Sequence, residues 1–244
     1  MASISISLYK LSNSDEILIN YSIYNNQTSI SDSFNIGPSA SITGIPSSFA
    51  VFSQIPIRNI RYFCIIPAER DDIDMKFNLS WITASKELVY FCFKGLDDIE
   101  TRTRLVQHMT FTNFNTLATC PKLKTLILWD CKGVSVDSIS GFQNLEMLSL
   151  NNCNVTTIDA IRNCPKLTTL ELHNNNITNF TPLANHPSLK KIKLTGISLP
   201  IDVKTFLTIS TLDNLSLIDC ISLSGDDLSK LSANGVSVSE YKTK

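Results

Sequence analysis

The chain has 244 residues, of which 43% are hydrophobic and 18% charged, and its formal net charge is −1. This composition is that of a globular protein and excludes a chain that is disordered throughout. The small net charge gives no reason to expect nucleic acid or a membrane as a partner, and no apolar run reaches the roughly 18–20 residues of a membrane span.

Residues 1–80 are rich in Ile, Tyr and Ser and carry no recognisable motif. The segments ISISLYKL, EILINYSIY and IRYFCIIP have the β-branched and aromatic content of strands. Between the last two lies SDSFNIGPSASITGIPSSFAVFSQIP, whose prolines, glycines and serines predict loops. We expect residues 1–80 to form a β-rich N-terminal cap or, alternatively, a small separate domain. The first residues lack a basic start followed by an apolar block, which argues against a secretory signal.

Residues 81–120 are predicted to hold degenerate copies of a repeat that is regular further along the chain. The segment KELVYFCF predicts a strand, but from Leu88 to the first regular copy at Leu123 is 35 residues. Whether this strand joins the same sheet therefore stays open. Apolar residues three apart mark another degenerate copy, Phe111, Phe114 and Leu117. The strand of that copy is expected near Arg104.

Residues 121–238 contain five copies of one repeat. Four copies begin at Leu123, Leu145, Leu167 and Leu189, at a constant spacing of 22 residues, and the fifth begins one residue late at Leu212. Apolar residues occupy the first, fourth and sixth positions, and the last two share one face of a strand. A small polar residue follows at the ninth position, and then apolar residues three apart, a spacing that suits a 3-10 helix. No copy can bury its own apolar residues, so the copies must stack.

The end of the chain predicts a closing element. The segment from Ser224 to Gly235 has a helix-capping serine followed by two aspartates, and a glycine where the helix should stop. Val236 and Val238 predict a last strand, and residues 239–244 form a polar tail.

The repeat pattern LxxLxLxx(N/C)xIxxIxxL resembles the leucine-rich repeats, specifically their SDS22-like and internalin-like subclass of 22 residues. The resemblance covers residues 121–238. It implies an α/β solenoid with a parallel concave β-sheet and short helical or 3-10 returns on the convex side. It also implies a curved binding surface and says little more about function.

Catalytic chemistry is hard to find in the sequence. The ninth-position cysteines Cys131, Cys153 and Cys220 should point inward as structural thiols, and His186 lies at a repeat position that is also structural. Seven cysteines without a CxxC pair favour reduced thiols in the cytoplasm. We expect no catalytic residue, no metal site and no cofactor.

The predicted binding surface consists of the third, fifth and seventh repeat positions, which point outward from the concave sheet. The candidate partner-binding residues are Ile127, Trp129, Met147, Glu171, His173, Lys191 and Lys193. The first three form a predicted apolar cluster, a common kind of anchor, although the N-terminal segment is an alternative cover for it. The lysines form a predicted basic patch, although Glu171 and Lys193 are cross-strand neighbours that can neutralise each other.

The sequence therefore predicts a non-catalytic, monomeric protein-interaction module: an adaptor, a regulator or a substrate receptor for a protein of unknown identity. One alternative is a secreted or surface adhesin of internalin type. Another is an enzyme with its active site in the N-terminal segment, where Cys64 is the one strong nucleophile candidate.

Overall fold

The computed structural model describes residues 2–10, 17–24, 29–36, 41–43, 60–67, 74–80, 82, 85–93, 108–198 and 201–242. Their side chains are described for residues 62–64, 79–80, 82, 85–93, 110–198 and 201–242. The chain divides into two compact units, Met1–Val134 and Ser135–Lys244. The limits at residues 80 and 120 that the sequence suggests stay predictions.

The described part of the first unit is built from two β-sheets. Its strands are β1 (Ala2–Lys10), β2 (Ile17–Tyr24), β3 (Ser29–Ile36), β4 (Ser41–Thr43), β5 (Ile60–Pro67), β6 (Asp74–Asn78), β7 (Tyr90–Phe93), β8 (His108–Thr112), β9 (Thr125–Trp129) and β10 (Cys131–Lys132). One sheet has the order β9-β7-β5-β1-β2-β3, and the other has the order β10-β8-β6-β4. From β4 to β10 successive strands alternate between the two sheets, so the chain coils.

Two pairings answer questions that the sequence left open. Strand β7, from the segment KELVYFCF, pairs in parallel with β9, so it does join the sheet of the first regular copy. The degenerate copy is different: Phe111 lies in β8 of the second sheet, and Arg104 lies outside the described residues. The returning segments of this unit thus include strands, which a 22-residue repeat does not predict.

The core of the first unit is aromatic. Phe63 and Phe91 are paired across β5 and β7, and their rings stack with centroids 5.4 Å apart. Phe111 reaches the same core from the other sheet, with ring centroids 6.0 Å from Phe91 and 6.1 Å from Phe93. Such large side chains fill the space between two sheets, which pack about 10 Å apart.

The N-terminal strands extend this unit. Strand β1 pairs in parallel with β5 and antiparallel with β2, and β2 pairs antiparallel with β3. Strand β3 covers the segment SDSFNI, which the sequence had suggested as loop, so that expectation is wrong. Its alternation of Ile and Phe with polar residues suits a strand.

The second unit is a regular coil with one parallel sheet. Its strands are β11 (Met147–Asn151), β12 (Thr169–His173), β13 (Lys191–Thr195), β14 (Asn214–Ile218) and β15 (Ser237–Tyr241). The return segments contain 3-10 helices at Val136–Gly141, Asp159–Asn163 and Thr181–Leu183, followed by α1 (Val203–Leu207) and α2 (Gly225–Ala233). This arrangement confirms the predicted solenoid of parallel strands and short returns.

The strands of the second unit stack in the register that the sequence predicts. Leu148 pairs with Leu170, Leu170 with Ile192, and Ile192 with Leu215. All four side chains are at most 1% exposed. The leucine columns are therefore the core, because each strand covers the apolar residues of the next.

A sharp corner follows each strand at the eighth repeat position. Asn152, Asn174 and Asp219 have positive φ values of 51°, 49° and 51° there, a conformation that Asn and Asp tolerate better than most residues. Gly196 holds the same position with φ of 68°, and a Cβ atom on it would lie 2.5 Å from Oδ1 of Asn174. Glycine is required at this corner for both reasons.

The ninth position satisfies the backbone at these corners. Asn175 is 6% exposed. Its Oδ1 accepts hydrogen bonds from the amides of Cys153 and Val155 at 3.0 and 3.1 Å. Its Nδ2 donates to the carbonyls of Leu150 and His173, both at 2.9 Å. The predicted inward structural role of this position is confirmed.

The last helix has the caps that the sequence predicts. Ser224 precedes α2, and its side chain accepts a hydrogen bond from the amide of Asp227 at 3.1 Å. The helix ends at Ala233, and Gly235 follows with φ of 81°. Strand β15 then closes the sheet of the second unit.

Candidate functional site

The open face of the second unit is the side of its sheet opposite the leucine core. It carries the third, fifth and seventh repeat positions. Those of β11 to β14 are Met147, Ser149, Asn151, Thr169, Glu171, His173, Lys191, Lys193, Thr195, Asn214, Ser216 and Ile218. The register places Glu171 beside Ser149 on one side and beside Lys193 on the other. The charged residues of these columns therefore lie on two adjacent strands, β12 and β13.

Glu171 is the central charged group of the open face. Its Oε2 lies 3.8 Å from Nε2 of His173, an ion-pair distance that is long for a hydrogen bond. The His173 ring is the main cause that lowers the pKa of Glu171, burial opposes it, and a hydrogen bond with Ser149 and the charge of Lys193 lower it further. Glu171 is therefore held as a carboxylate by its neighbours on the same face.

This trio does not have the geometry of a nucleophilic site. A catalytic serine needs an imidazole to accept its proton, with the carboxylate behind the imidazole. Here the carboxylate of Glu171 lies between the hydroxyl of Ser149 and the ring of His173. Ser149 is also only 1% exposed. The arrangement orients a charge and does not activate a hydroxyl.

The lysines differ in their surroundings. Lys193 is half-buried beside Glu171, whereas Lys191 is exposed. Lys191 pairs across the strands with Thr169 and Asn214, which carry no charge, and has no ion-pair partner among the described residues. Lys191 thus gives this part of the open face an uncompensated positive charge.

The predicted apolar anchor needs correction. Ile127 is 7% exposed, so the expectation of an exposed side chain is wrong. It is the middle residue of β9, with Thr125 and Trp129 on either side along the strand, and it pairs laterally with the buried Cys92. Strands about 4.8 Å apart bring such side chains into contact, so a middle position is covered even on an outward face.

The other two members of that cluster are half-buried. Trp129 lies at the end of β9 in the first unit, and Met147 begins β11 in the second. Since they belong to different units, their grouping with each other stays a prediction.

A pair of tyrosines was missed by the sequence analysis. Tyr62 and Tyr90 lie side by side on β5 and β7, with ring centroids 6.3 Å apart. Tyr62 is 39% exposed. The signal for this pair is a repeated tripeptide, Tyr-Phe-Cys, at residues 62–64 and 90–92, which the search at a spacing of 22 residues did not reveal.

The residues before the repeat prolines are structural. Sγ of Cys120 donates to the carbonyl of Ile82 at 3.7 Å, and Sγ of Cys164 donates to that of Ile139 at 3.3 Å. Burial raises the pKa of each of these thiols to about 11. A thiol with such a pKa is a poor nucleophile near neutral pH.

His186 occupies the same repeat position as these two cysteines. It is 3% exposed, and its Nδ1 accepts a hydrogen bond from the amide of Ser188 at 3.4 Å. Burial lowers its pKa, and the carbonyls of Ile161 and Cys164 partly offset that effect. The structural interpretation of His186 fits this environment.

A shallow polar cavity of about 440 Å³ lies among the returns of the second unit. Its lining includes Asp137, Ser140, Asp159 and Arg162. Arg162 pairs with Asp159 at 3.2 Å, and Thr157 donates to the same carboxylate at 2.5 Å. These polar groups are thus engaged with each other.

Two further searches were confined to the described residues. They contain no group of three or more His, Cys, Asp or Glu side chains arranged to hold a metal ion. Among them no helix has the length and apolar character needed to cross a membrane.

The comparisons with known proteins agree with this geometry. Residues 143–185 match the family model described as Leucine Rich repeats (2 copies). A search of curated proteins gave no match.

Two solved structures from Listeria monocytogenes are similar to this chain, each with a TM-score of 0.51. Internalin C2 is 19% identical, and the alignment covers 68% of this chain and 69% of that one. The internalin inlF is 16% identical, and the alignment covers 83% of this chain and 66% of that one. The chain thus spans about two thirds of the length of these structures. It carries leucine-rich repeats, and its fold is of internalin type.

Proposed function

We propose that this protein is a non-catalytic interaction module and that the open face of its second unit docks an acidic segment of a partner protein. The leucine-rich-repeat fold supports the general role, because such folds serve as interaction scaffolds. The observation that carries the specific proposal is the charge of β12 and β13. Glu171 is engaged by Ser149, His173 and Lys193, whereas Lys191 is exposed and unpaired among the described residues.

The size of the face sets what can dock there. Five parallel strands about 4.8 Å apart give a sheet roughly 20 Å across. A single helix or an extended loop fits that width. Polar side chains such as Asn151 and Thr195 surround the charged residues, so we expect hydrogen bonds and ion pairs to orient the partner segment. Met147, half-buried on β11, is the apolar contact within this unit.

The test compares two lysines of the second unit. The full chain carrying Lys191→Glu is used as bait beside the wild type, and Lys204→Glu is the matched control. Lys204 is also exposed but lies in α1, on the return side. Captured proteins are quantified by mass spectrometry, and the acidic segment of the best candidate is then titrated as a synthetic peptide.

We expect Lys191→Glu to weaken peptide binding about tenfold, equivalent to about 1.4 kcal/mol, since it replaces an attraction by a repulsion. Lys204→Glu should leave the affinity within about twofold, and added salt should weaken the wild-type complex. If both variants capture the same proteins at wild-type levels while folded, the open face of the second unit is not the docking surface.

We further propose that the partner complex forms in the cytoplasm, that the protein is an adaptor, regulator or substrate receptor, and that it acts as a monomer without nucleic acid or membrane. The seven cysteines are thiols in the structure. The internalin-type fold favours a second candidate, an adhesin outside the cell. A thiol titration of protein from its native source separates the two, because an extracellular adhesin should have lost thiols to disulfides.

A further inference from the structure

Two cysteines of the first unit face each other on neighbouring strands. Cys64 on β5 and Cys92 on β7 are partners in the parallel register. The residues before them, Phe63 and Phe91, point into the core and are 1% and 0% exposed. Since side chains alternate along a strand, both cysteines point to the opposite side of the sheet.

The spacing of the two strands suits a covalent link. Neighbouring strands lie about 4.7–4.9 Å apart, and the Cα atoms of a disulfide are usually about 4.4–6.8 Å apart. Directly paired residues on the same face therefore meet the distance requirement without a shift of register. Both residues are thiols in the structure.

Tyr90 supplies a second sign that the thiols converge. Its hydroxyl makes a hydrogen bond with the thiol of Cys92 and also senses the charge of Cys64. Burial first, and then these two thiols, raise the pKa of Tyr90. One phenol hydroxyl within reach of both sulfur atoms places the two sulfur atoms in one small region of the face.

The two thiols differ in access. Cys92 is 0% exposed, whereas Cys64 is half-buried. An accessible thiol beside a sheltered one matches the arrangement of an attacking and a resolving cysteine, in which the first meets the oxidant and the second closes the bond.

We propose that Cys64 and Cys92 form an oxidisable dithiol, a modification site for hydroperoxides that converts to a cross-strand disulfide. The proposal is independent of the docking face of the second unit.

The reaction has two steps. The thiolate of Cys64 attacks one oxygen of hydrogen peroxide, the O–O bond breaks, and Cys64 becomes a sulfenic acid while hydroxide leaves. The sulfur of Cys92 then attacks that of Cys64, the S–O bond breaks, and a second hydroxide leaves. The two thiol protons convert the hydroxides to water. Two electrons pass from the sulfur atoms to the peroxide, which is reduced to two waters.

The other buried cysteines differ from this pair. Cys120 and Cys164 each donate to a backbone carbonyl, and burial raises the pKa of both. In the second unit, the residue at the position of Cys164 in the next copy is His186. Oxidation should therefore select the pair on β5 and β7.

The experiment treats the folded full chain with a small excess of hydrogen peroxide. The remaining thiols are alkylated after denaturation, and the product is analysed by intact mass and peptide mapping. We expect two of the seven thiols to disappear and one link to join the peptides of Cys64 and Cys92. Cys64→Ser and Cys92→Ser should each abolish this link, and Cys164→Ser, the matched control, should retain it.

A second measurement follows stability. The bond closes a loop of 28 residues (92 − 64), which restricts the unfolded chain, so oxidation should raise the thermal midpoint of the first unit by about 5–10 °C. Reduction by a dithiol should reverse the shift. Retention of all seven thiols, a link between other cysteines, or sulfinic acid at Cys64 with Cys92 unchanged would each overturn the proposal.

Discussion

Replacing Asn175 by alanine tests how the second unit satisfies its backbone. The side chain makes four hydrogen bonds, with two amides and two carbonyls. At 6% exposure, water cannot easily replace them. Because a buried hydrogen bond contributes about 0.5–1.5 kcal/mol net, we expect Asn175→Ala to lower the free energy of unfolding by roughly 3–4 kcal/mol.

Cysteine at the same position gives a graded comparison. In another copy of the repeat, Cys220 donates to the carbonyls of Ile218 and Leu194 at 3.3 and 3.5 Å. Asn175→Cys should therefore keep the two bonds to carbonyls and lose the two from amides. We expect a cost of about 2 kcal/mol, close to half of the alanine value.

Urea unfolding of the full chain measures both variants, and amide hydrogen exchange at Cys153 and Val155 reports on the second unit alone. The two amides should exchange faster in both variants, because both lose the acceptor. A cost below about 1 kcal/mol for alanine, or equal costs for alanine and cysteine, would refute this hydrogen-bond argument.

Three other substitutions give further tests. His186→Cys should remove acid sensitivity: burial lowers the pKa of His186 below its ordinary 6.5, so its neutral form gives full stability above that pH and loses it as the pH falls; urea unfolding at about pH 7.5 and about pH 5 measures this. Ile127→Ala should cost about 2–4 kcal/mol in the same assay, as a buried residue does, whereas an exposed anchor would cost under about 0.5 kcal/mol. Gly196→Ala should lower the thermal midpoint more than Gly235→Ala, because both have positive φ but only the former brings Cβ against Asn174; equal shifts would contradict the steric argument.

Much of the second unit follows from the sequence, because its repeat length is nearly constant. Leu148, Leu170 and Ile192 recur every 22 residues, and the strands pair in that register. A constant length means that each residue meets its equivalent, so a column read from the sequence is a column in space. The capping role of Ser224 is similarly local and was predicted.

The first unit was less predictable, because its coil lengths vary. Phe63 pairs with Phe91 after 28 residues, and Phe91 pairs with Leu126 after 35. No single spacing aligns these copies, so the second sheet and the tyrosine pair stayed hidden. The repeated tripeptide around Tyr62 and Tyr90 was the available signal.

The candidate site was predicted in direction but not in depth. Alternation along a strand assigned Glu171 and Lys191 to the outward face, and the register places them there. Alternation does not say how far neighbours cover a side chain. Ile127 and Ser149 occupy the fifth repeat position, and both are buried, at 7% and 1% exposure. Burial at such positions depends on the size of neighbours, which the pattern does not encode.

The fifth copy begins one residue late, yet strand pairing is undisturbed: Ile192 pairs with Leu215 and Thr195 with Ile218. The extra residue is taken up between the strands, in the segment that contains α1 (Val203–Leu207). Insertions and deletions are therefore tolerated on one arm of each coil and penalised on the other. A single deletion inside β12 would turn Glu171 towards the leucines, whereas a peptide tag inserted near α1 should leave every residue of β12 and β13 in place.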